Sequence, residues 1–364
     1  MDLCYSEQEY SLSTIAELQG EMLEESLTTS HLSGAETTME VTQITSEYNM
    51  LAPLSRTIYF EAAMMVIGLV GTAANALILY GLVGSKQHKK QVLIFNQNAL
   101  DLFSSIFLTI SSSVRFYNTP LTGLSGYWLC AIVQSEVFIW CGITGSTINL
   151  ASITIERYLK VVHPIWSKKK LHNWMIYSAA AFAWICASAY NLVLVIMTSM
   201  VIDGTCYAFE IWQNETARVI HAIWFFMSFY VIILVLIILC YWRILVVIRR
   251  QARVMAGYSA AGSSTGQTQS THIETTVIKT MILVSALFAI SQFPIQIFYL
   301  LMNVDPNFVF VKTTYNLALL IEFLYICTNP FIYAIKFDPV KQVLLRLIPC
   351  KKISDQPNNT TNTT

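Results

Sequence analysis

Three charged side chains lie inside long apolar stretches of this 364-residue sequence, where a charge is costly unless it has a role. Asp101 lies in NALDLF, Arg157 in IERYLKVVHP and Glu322 in LIEFLY. Such groups can bind a ligand or an ion, or pair with neighbouring helices. The sequence shows no nucleophile beside a base, no Gly-rich phosphate loop and no His/Cys metal spacing. We therefore expect binding chemistry and no enzyme.

Neutral oxygen-bearing side chains accompany Asp101. Asn75, Ser146 and Asn329 lie in other apolar stretches and are able to hydrogen-bond around it. Asp101, Ser146 and Asn329 together supply the hard oxygen ligands that a small cation such as sodium prefers. A water-filled polar network without an ion is an equally good interpretation. We expect no other cofactor.

Membrane-spanning helices must position these residues. The chain is 55% apolar and only 12% charged, against about 25% charged in a soluble protein. Its 22 basic and 22 acidic residues cancel, which argues against a nucleic-acid partner. Crossing about 30 Å of hydrocarbon takes about 20 residues. The stretches long enough to do so are 58–84, 92–117, 127–161, 173–200, 217–248, 273–303 and 310–336. We predict an all-α, seven-transmembrane helix bundle over 58–337.

Lys and Arg are distributed unevenly between the two sides of these stretches. They cluster after the first, third, fifth and seventh, whereas the opposite side has only Arg56, Arg115, Arg218 and Lys312. Because basic residues are retained in the cytosol, we predict a plasma-membrane protein with an extracellular amino terminus and a cytoplasmic carboxyl terminus.

The segments outside the bundle have distinct compositions. Residues 1–57 hold ten acidic residues and one basic residue without an apolar signal-peptide core, and predict an extracellular disordered tail. The Gly/Ser/Thr-rich stretch 255–271 predicts a flexible linker. Residues 338–350, too short to span, predict a short amphipathic cytosolic helix, and 351–364 a cytosolic tail.

Cysteines and sequons follow the same topology. Cys130 and Cys206 share the oxidising side, and we expect a disulfide between them. Asn214, in Asn-Glu-Thr, is predicted to be glycosylated, whereas the sequons in the cytosolic tail are not. Cys350 beside two lysines predicts palmitoylation, and a free thiol is an equally good interpretation.

The motifs occur in an order that resembles the rhodopsin-like (class A) G-protein-coupled receptors. Besides Asp101, they are Asn75, the Cys130–Cys206 pair, Glu156-Arg157-Tyr158, Trp184, Phe288 six residues before Pro294, and Asn329-Pro330-Phe331-Ile332-Tyr333. The resemblance covers roughly residues 58–350. Pro294 and Pro330 each remove a helical hydrogen bond, and we expect kinks there.

The resemblance implies a switch around Arg157. It implies that Arg157 pairs with Glu156 and with Glu274 at rest, and that Tyr241 and Tyr333 support Arg157 when a heterotrimeric G protein enters. Activation moves the sixth helix outward as a ligand shifts the population. Arrestin, receptor kinases and membrane lipid are further implied partners. Glu274 could alternatively complement a helix N-terminus.

Several positions depart from the family pattern. Gln292 stands where the family usually has a tryptophan, and Ile233 stands where its fifth span has a proline. Phe323 replaces the retinal-binding lysine of opsins, and Ile139 replaces the aspartate of aminergic receptors. We therefore expect neither retinal nor a monoamine. The departures leave open a receptor-like protein without G-protein signalling.

The remaining polar and aromatic residues of the pocket favour a peptide or basic ligand. They are Glu136, Trp140, Gln292, Gln296, Tyr299 and Glu322. Some of these positions could instead be helix packing, and Glu322 could be neutral and hydrogen-bonded. A transporter is the remaining alternative, but the two halves of the sequence show no repeated broken helices.

Overall fold

Seven helices of the described chain are long and apolar enough to cross a membrane. The computed structural model describes the backbone over residues 36–116, 121–209, 211–259, 266–336 and 338–346, and side chains over 58–116, 121–209, 211–251, 253, 278–336 and 340–346. The spans, numbered first to seventh, are Ile58–Gly84, Val92–Phe116, Gly123–Val162, Asn173–Thr198, Glu215–Gln251, Ile278–Val304 and Lys312–Lys336. The predicted seven-span bundle is confirmed.

The helices carrying these spans have the following bounds. The second, fourth and seventh spans are single helices over the ranges just given. The first lies within a helix Glu36–Gly84 and the sixth within Gly266–Val304. The third comprises Gly123–Leu129, a π-helical turn Cys130–Gln134 and Val137–Val162. The fifth comprises Glu215–Phe226, a π-helical turn Met227–Val231 and Ile232–Ser259. Short helices Pro164–Lys170 and Asp338–Arg346 follow the third and seventh spans.

Some boundaries differ from the predicted ones. Residues 36–57, predicted as disordered, have a helical backbone, and so do 255–259 and 266–271 of the predicted linker. A formed helix extends at little cost per added residue, so composition alone does not mark where it stops. Residues 1–35 and 347–364, including Cys350, lie outside the described chain. The chain divides into units 1–59 and 60–364, and the packing that follows is that of the second.

Buried apolar side chains form two large clusters in the second unit. One includes Leu82, Leu150, Ile244, Phe288 and Tyr333, which come from the first, third, fifth, sixth and seventh spans. The other is built around Met64, Leu108, Ile139 and Phe323. Large apolar side chains also face outward, as expected of helices that contact lipid.

A small hairpin accompanies the predicted disulfide. Strands Met200–Ile202 and Thr205–Tyr207 pair antiparallel, with Val201 opposite Cys206. Asp203 and Gly204 turn the chain at φ 49° and 76°, the positive values that an Asp-Gly hairpin turn needs. Cys206 is bonded to Cys130, with Cα atoms 5.4 Å apart. The disulfide prediction is confirmed; the hairpin was not predicted.

The fifth span contains a π-helical turn and no proline. Its π-helical turn Met227–Val231 lies just before Ile233, where the family has its proline. The turn contains Tyr230, whose hydroxyl donates to the Ala289 carbonyl of the sixth span at 3.0 Å. A π-helical turn inserts an extra residue into the helix. It therefore supplies a local distortion that the sequence gave no sign of.

The amphipathic helix Asp338–Arg346 packs against the end of the first span. Val340 is fully buried. A Cβ on Gly81 would lie 2.7 Å from Val340 Cγ1, so only glycine leaves room for this contact. The helix is thereby held beside the bundle at the end that carries Arg157.

Candidate functional site

The predicted Asp101 cluster is assembled from three spans. Asp101 is 2% exposed. Its Oδ1 accepts a hydrogen bond from Ser146 Oγ at 3.0 Å, and its Oδ2 accepts one from Asn329 Nδ2 at 2.9 Å. Asn75 does not join them, because its amide donates to the carbonyls of Gly71 and Ile326. The second, third and seventh spans therefore meet at one carboxylate.

A directed chain of hydrogen bonds leads to Asp101 from the fourth span. Asn149 donates to Gln97 Oε1 at 2.8 Å, Gln97 donates to Ser146, and Ser146 donates to Asp101. Upstream, the Trp184 indole donates to Asn96 Oδ1 and Asn96 donates to Asn149 Oδ1, both at 2.9 Å. Sequence reasoning missed Gln97 and Asn149. The available signal was the run Asn96-Gln97-Asn98 inside an apolar stretch.

The oxygen groups at this cluster suit a small cation. Asp101 brings a carboxylate and Ser146 a hydroxyl oxygen that is already oriented by Gln97. Asn329 Oδ1 is buried and has no hydrogen-bond partner among the described side chains. Buried amide oxygens are normally paired, so this atom is an acceptor suited to a cation or a water molecule. Elsewhere in the described chain, no group of three His, Cys, Asp or Glu residues has a metal-binding arrangement.

Arg157 lies at one end of the third span, which we call the Arg157 end of the bundle. Its guanidinium is 3.8 Å from Glu156 Oε2 and is hydrogen-bonded to Gln91 Oε1. Glu156 also binds Lys160 at 2.5 Å. The Glu274 side chain lies outside the described residues. Sequence reasoning missed Gln91, which joins the start of the second span to Arg157.

The other predicted switch residues lie near this end on the fifth, sixth and seventh spans. The Tyr241 hydroxyl is 3.4 Å from Ser285 Oγ. Tyr333 is 2% exposed, and its hydroxyl has no partner among the described residues. Phe288 packs edge-on against Tyr325, with ring centroids 5.9 Å apart. Tyr158 lies on the third span, and its hydroxyl is 3.4 Å from His163 Nε2.

Both prolines lie inside helices, as predicted. Pro294 is within Gly266–Val304 and Pro330 within Lys312–Lys336. Each removes a backbone donor from the middle of its helix, which weakens the helix at that point. The kinks expected at these two positions stay predictions.

Three of the predicted ligand-pocket residues are joined by hydrogen bonds. Gln296 Nε2 is 3.4 Å from Gln292 Oε1, and Gln292 Nε2 donates to Glu322 Oε1 at 2.5 Å. Trp140 lies beside the ring of Phe323, with centroids 6.0 Å apart. We call Gln292, Gln296 and Glu322 the amide–carboxylate cluster.

The structure groups Glu136 with other charges. Arg115 binds the Glu136 carboxylate and is 3.1 Å from Glu61 Oε2. Glu136 therefore already has a cationic partner. Its position next to the turn Cys130–Gln134 places this triad at the end of the bundle that carries the disulfide, which we call the disulfide end.

Tyr299 belongs to an aromatic group around His221. Its hydroxyl is 3.2 Å from His221 Nδ1, and the Tyr190 hydroxyl is 2.6 Å from His221 Nε2. Sequence reasoning missed His221, which links the fourth, fifth and sixth spans. A cavity of about 520 Å³ borders Tyr190 between the fourth and fifth spans, lined also by Val193, Met197 and Trp212. None of the predicted ligand residues lines it.

Comparison with known proteins gives consistent matches. Residues 74–333 match the family model described as 7 transmembrane receptor (rhodopsin family). The galanin receptor 2b of Danio rerio is 24% identical over 84% of this chain and 78% of its own length. The allatostatin-A receptor of Bombyx mori is 24% identical, covering 78% of each chain. The C5a anaphylatoxin chemotactic receptor 1 of Homo sapiens is 24% identical over 78% of this chain and 77% of its own.

Proposed function

The chain belongs to the rhodopsin family of seven-transmembrane receptors, and from this premise we propose that it binds a polypeptide ligand outside the cell and activates a heterotrimeric G protein inside it. The observation that carries the proposal is the Asp101 cluster. Ser146 lies on the span that carries Arg157, and Asn329 lies on the span that carries Glu322. The cluster thus connects the helices that bear the two polar groups at which ligand and G protein would act.

The protein is a multi-pass plasma-membrane protein, and its orientation follows from its basic residues. We place the disulfide end outside and the Arg157 end in the cytosol. Lys86, Lys89, Lys90, Lys168, Lys169 and Lys170 adjoin the Arg157 end, where positive charge is retained. At the other end, Arg115 is neutralised by two carboxylates, so even fewer free cations lie outside than the sequence count indicates.

The proposed ligand class rests on the relatives. The three relatives described above are named as receptors for galanin, allatostatin-A and the C5a anaphylatoxin. The pocket residues of this chain suit such a ligand, since glutamine and glutamate side chains bind peptide and basic groups. Phe323 has no amine to form a Schiff base with retinal, and Ile139 has no charge to pair with a monoamine.

The G protein would act on Arg157. In the structure this guanidinium binds Glu156 and Gln91, and we propose that Glu274 completes its resting partners. A ligand that favours the active arrangement moves the sixth span outward about Pro294, which frees Arg157 to contact the G protein. Tyr241 and Tyr333 then support it. By linkage, the bound G protein tightens ligand binding. Arrestin and receptor kinases would use the same cytosolic end.

A sodium ion at the Asp101 cluster would stabilise one arrangement of the bundle. Asp101, Ser146 and Asn329 would hold it through oxygen atoms. When bound, the ion supplies a positive charge that offsets the buried carboxylate. The residues themselves tie the second, third and seventh spans together, and Gln97 orients the Ser146 hydroxyl.

A G-protein activation assay tests the proposal. The full-length protein, with an extracellular amino-terminal tag, would be expressed in cells and exposed to peptides and amines while sensors report each G-protein class. We expect activation by a peptide, lost in Arg157→Ala and kept in the matched charge deletion Arg218→Ala. Normal surface expression without ligand-dependent or basal coupling to any G protein would refute the proposal. It would instead support a receptor-like protein that does not signal.

A further inference from the structure

Glu322 is a fully buried carboxylate with only one hydrogen bond to a described side chain. Its exposed fraction is 0%. Oε1 accepts from Gln292 Nε2, whereas Oε2 has no partner among the described residues. A carboxylate oxygen in this position loses its water and gains no donor in return, which is costly. The side chain therefore lacks a donor on one side.

The other buried acids of the described spans have partners for their charge. Glu61 and Glu136 share Arg115. Glu156 binds Lys160 and faces Arg157. The two oxygens of Asp101 each accept a hydrogen bond. Glu322 differs from all four, because no described Lys or Arg forms an ion pair with it and one of its oxygens is unpaired.

A second unpaired acceptor belongs to the same cluster. Gln296 is 7% exposed, and its Oε1 has no partner among the described residues. Its Nε2 points toward Gln292 Oε1, and Gln292 Nε2 points toward Glu322. The amide donors therefore run in one direction and end on the carboxylate. This leaves two acceptor atoms, Gln296 Oε1 and Glu322 Oε2, and calls for a ligand group rich in donors.

Apolar and aromatic side chains surround this part of the bundle. Ile139, Ile295 and Leu319 belong to the same buried cluster as Phe323, the neighbour of Glu322. Trp140 packs against this cluster and lies beside the Phe323 ring, tilted by 50°. Such an apolar environment suits the apolar stem that carries a cationic head group. It also excludes water, which strengthens an ion pair inside.

We infer that Glu322 and Gln296 form the binding site for a cationic group of the ligand, of the guanidinium class. This inference rests on the proposed receptor function and names the group that its ligand presents. A guanidinium carries five N–H donors in a planar fork, so it has donors for both acceptors and a charge that neutralises the carboxylate. An ammonium provides the charge without the fork and binds more weakly. An arginine side chain of a peptide is one source of such a group.

Small probe molecules test the site without knowledge of the natural ligand. The purified full-length protein in detergent would be heated with millimolar benzylguanidine, benzylamine or benzyl alcohol. Because a ligand of the folded state raises the unfolding temperature, we expect the largest rise with benzylguanidine, a smaller one with benzylamine and none with benzyl alcohol. Glu322→Gln keeps the size of the side chain and removes its charge. It should weaken benzylguanidine binding at least about tenfold, which corresponds to about 1.4 kcal/mol.

Two further variants keep the experiment decisive. Glu215→Gln removes an exposed acid at the start of the fifth span and should leave benzylguanidine binding unchanged. Gln296→Ala removes the second acceptor and should weaken binding severalfold, and it carries the test if Glu322→Gln does not fold. The inference is overturned if benzylguanidine does not stabilise the wild type. It is also overturned if benzylguanidine stabilises both the Glu322 and the Gln296 variant as much as it stabilises the wild type.

The result is separable from that of the receptor proposal, because probe binding needs no G protein. Activation of a G protein by peptides, together with no binding of benzylguanidine, refutes only the cation site. Binding that depends on Glu322, in a protein that couples to no G protein, supports the site and refutes the signalling function.

Discussion

The guanidinium of Arg115 binds the carboxylate of Glu136, a residue whose backbone lies in the left-handed region at φ 59° and ψ 23°. For a residue with a side chain this conformation costs about 1–3 kcal/mol. Glu136 lies between the π-helical turn Cys130–Gln134 and the helix Val137–Val162. Since Arg115 also binds Glu61, one cation fixes the interruption of the third span and joins it to the first and second.

Removing the Arg115 charge should destabilise the bundle. In Arg115→Gln, Glu61 and Glu136 remain as two buried carboxylates without a cation, and breaking a buried ion pair in this way costs about 3–5 kcal/mol. We expect a markedly lower unfolding temperature of the purified protein in detergent. The matched control is Arg218→Gln, whose partner Glu215 is 86% exposed and whose loss should cost at most about 1 kcal/mol. Equal effects of the two substitutions would show that the triad is not a structural link.

Sodium dependence decides between an ion and a water network at Asp101. If sodium binds there, the unfolding temperature of the wild type rises in sodium chloride relative to choline chloride at equal ionic strength, because the ion binds only the folded state. Asp101→Asn removes the charge and should abolish this difference. Ser113→Ala, whose hydroxyl bonds only to its own helix at Thr109, should keep it. Identical wild-type curves in the two salts would favour the water-filled network.

Gln97 is expected to matter although it is not one of the residues predicted to contact the ligand or the G protein. Gln97→Leu keeps the bulk but removes the bonds to Asn149 and Ser146, leaving buried polar groups unpaired at a cost of about 1–3 kcal/mol. We expect lower stability, and weaker sodium binding if the ion is present, because the Ser146 hydroxyl is no longer oriented. If Gln97→Leu unfolds at the same temperature as the wild type, water replaces the hydrogen bonds of the amide without loss of stability.

The sequence was sufficient for the spans and for the disulfide. Apolar length predicts a membrane helix almost independently of its neighbours, and Cys130 and Cys206 were the cysteines that shared one side of the membrane near the bundle. The grouping of Asp101, Ser146 and Asn329 also agrees with the observed hydrogen bonds. The spans follow from composition, the disulfide from the side of the membrane on which the cysteines lie, and the Asp101 grouping from a family pattern.

Partners within the bundle were harder to predict. Arg115 counted as a loop charge, but it lies half-buried between two acids. Glu136 was assigned to the ligand pocket for its charge, which Arg115 already neutralises. Gln91, Gln97 and His221 were missed, because periodicity shows which face of a helix is buried and not which polar group it meets there. The break at Glu136 likewise has no proline or glycine to mark it.

The bond between Gln292 and Glu322 joins the sixth and seventh spans at the position where the family has its tryptophan, and we expect it to restrain the sixth span. Gln292→Leu removes the donor to a buried carboxylate, at a cost of about 1.5–3 kcal/mol for a hydrogen bond to a charged group. If the bond is stronger in the resting arrangement than in the active one, its loss raises basal G-protein activation. Basal activity would be measured at matched surface expression, with the neighbouring substitution Ser291→Ala as the control. Higher basal activity in Gln292→Leu alone supports this role, whereas unchanged activity in both variants means that the bond is equally strong in the two arrangements and does not restrain the sixth span.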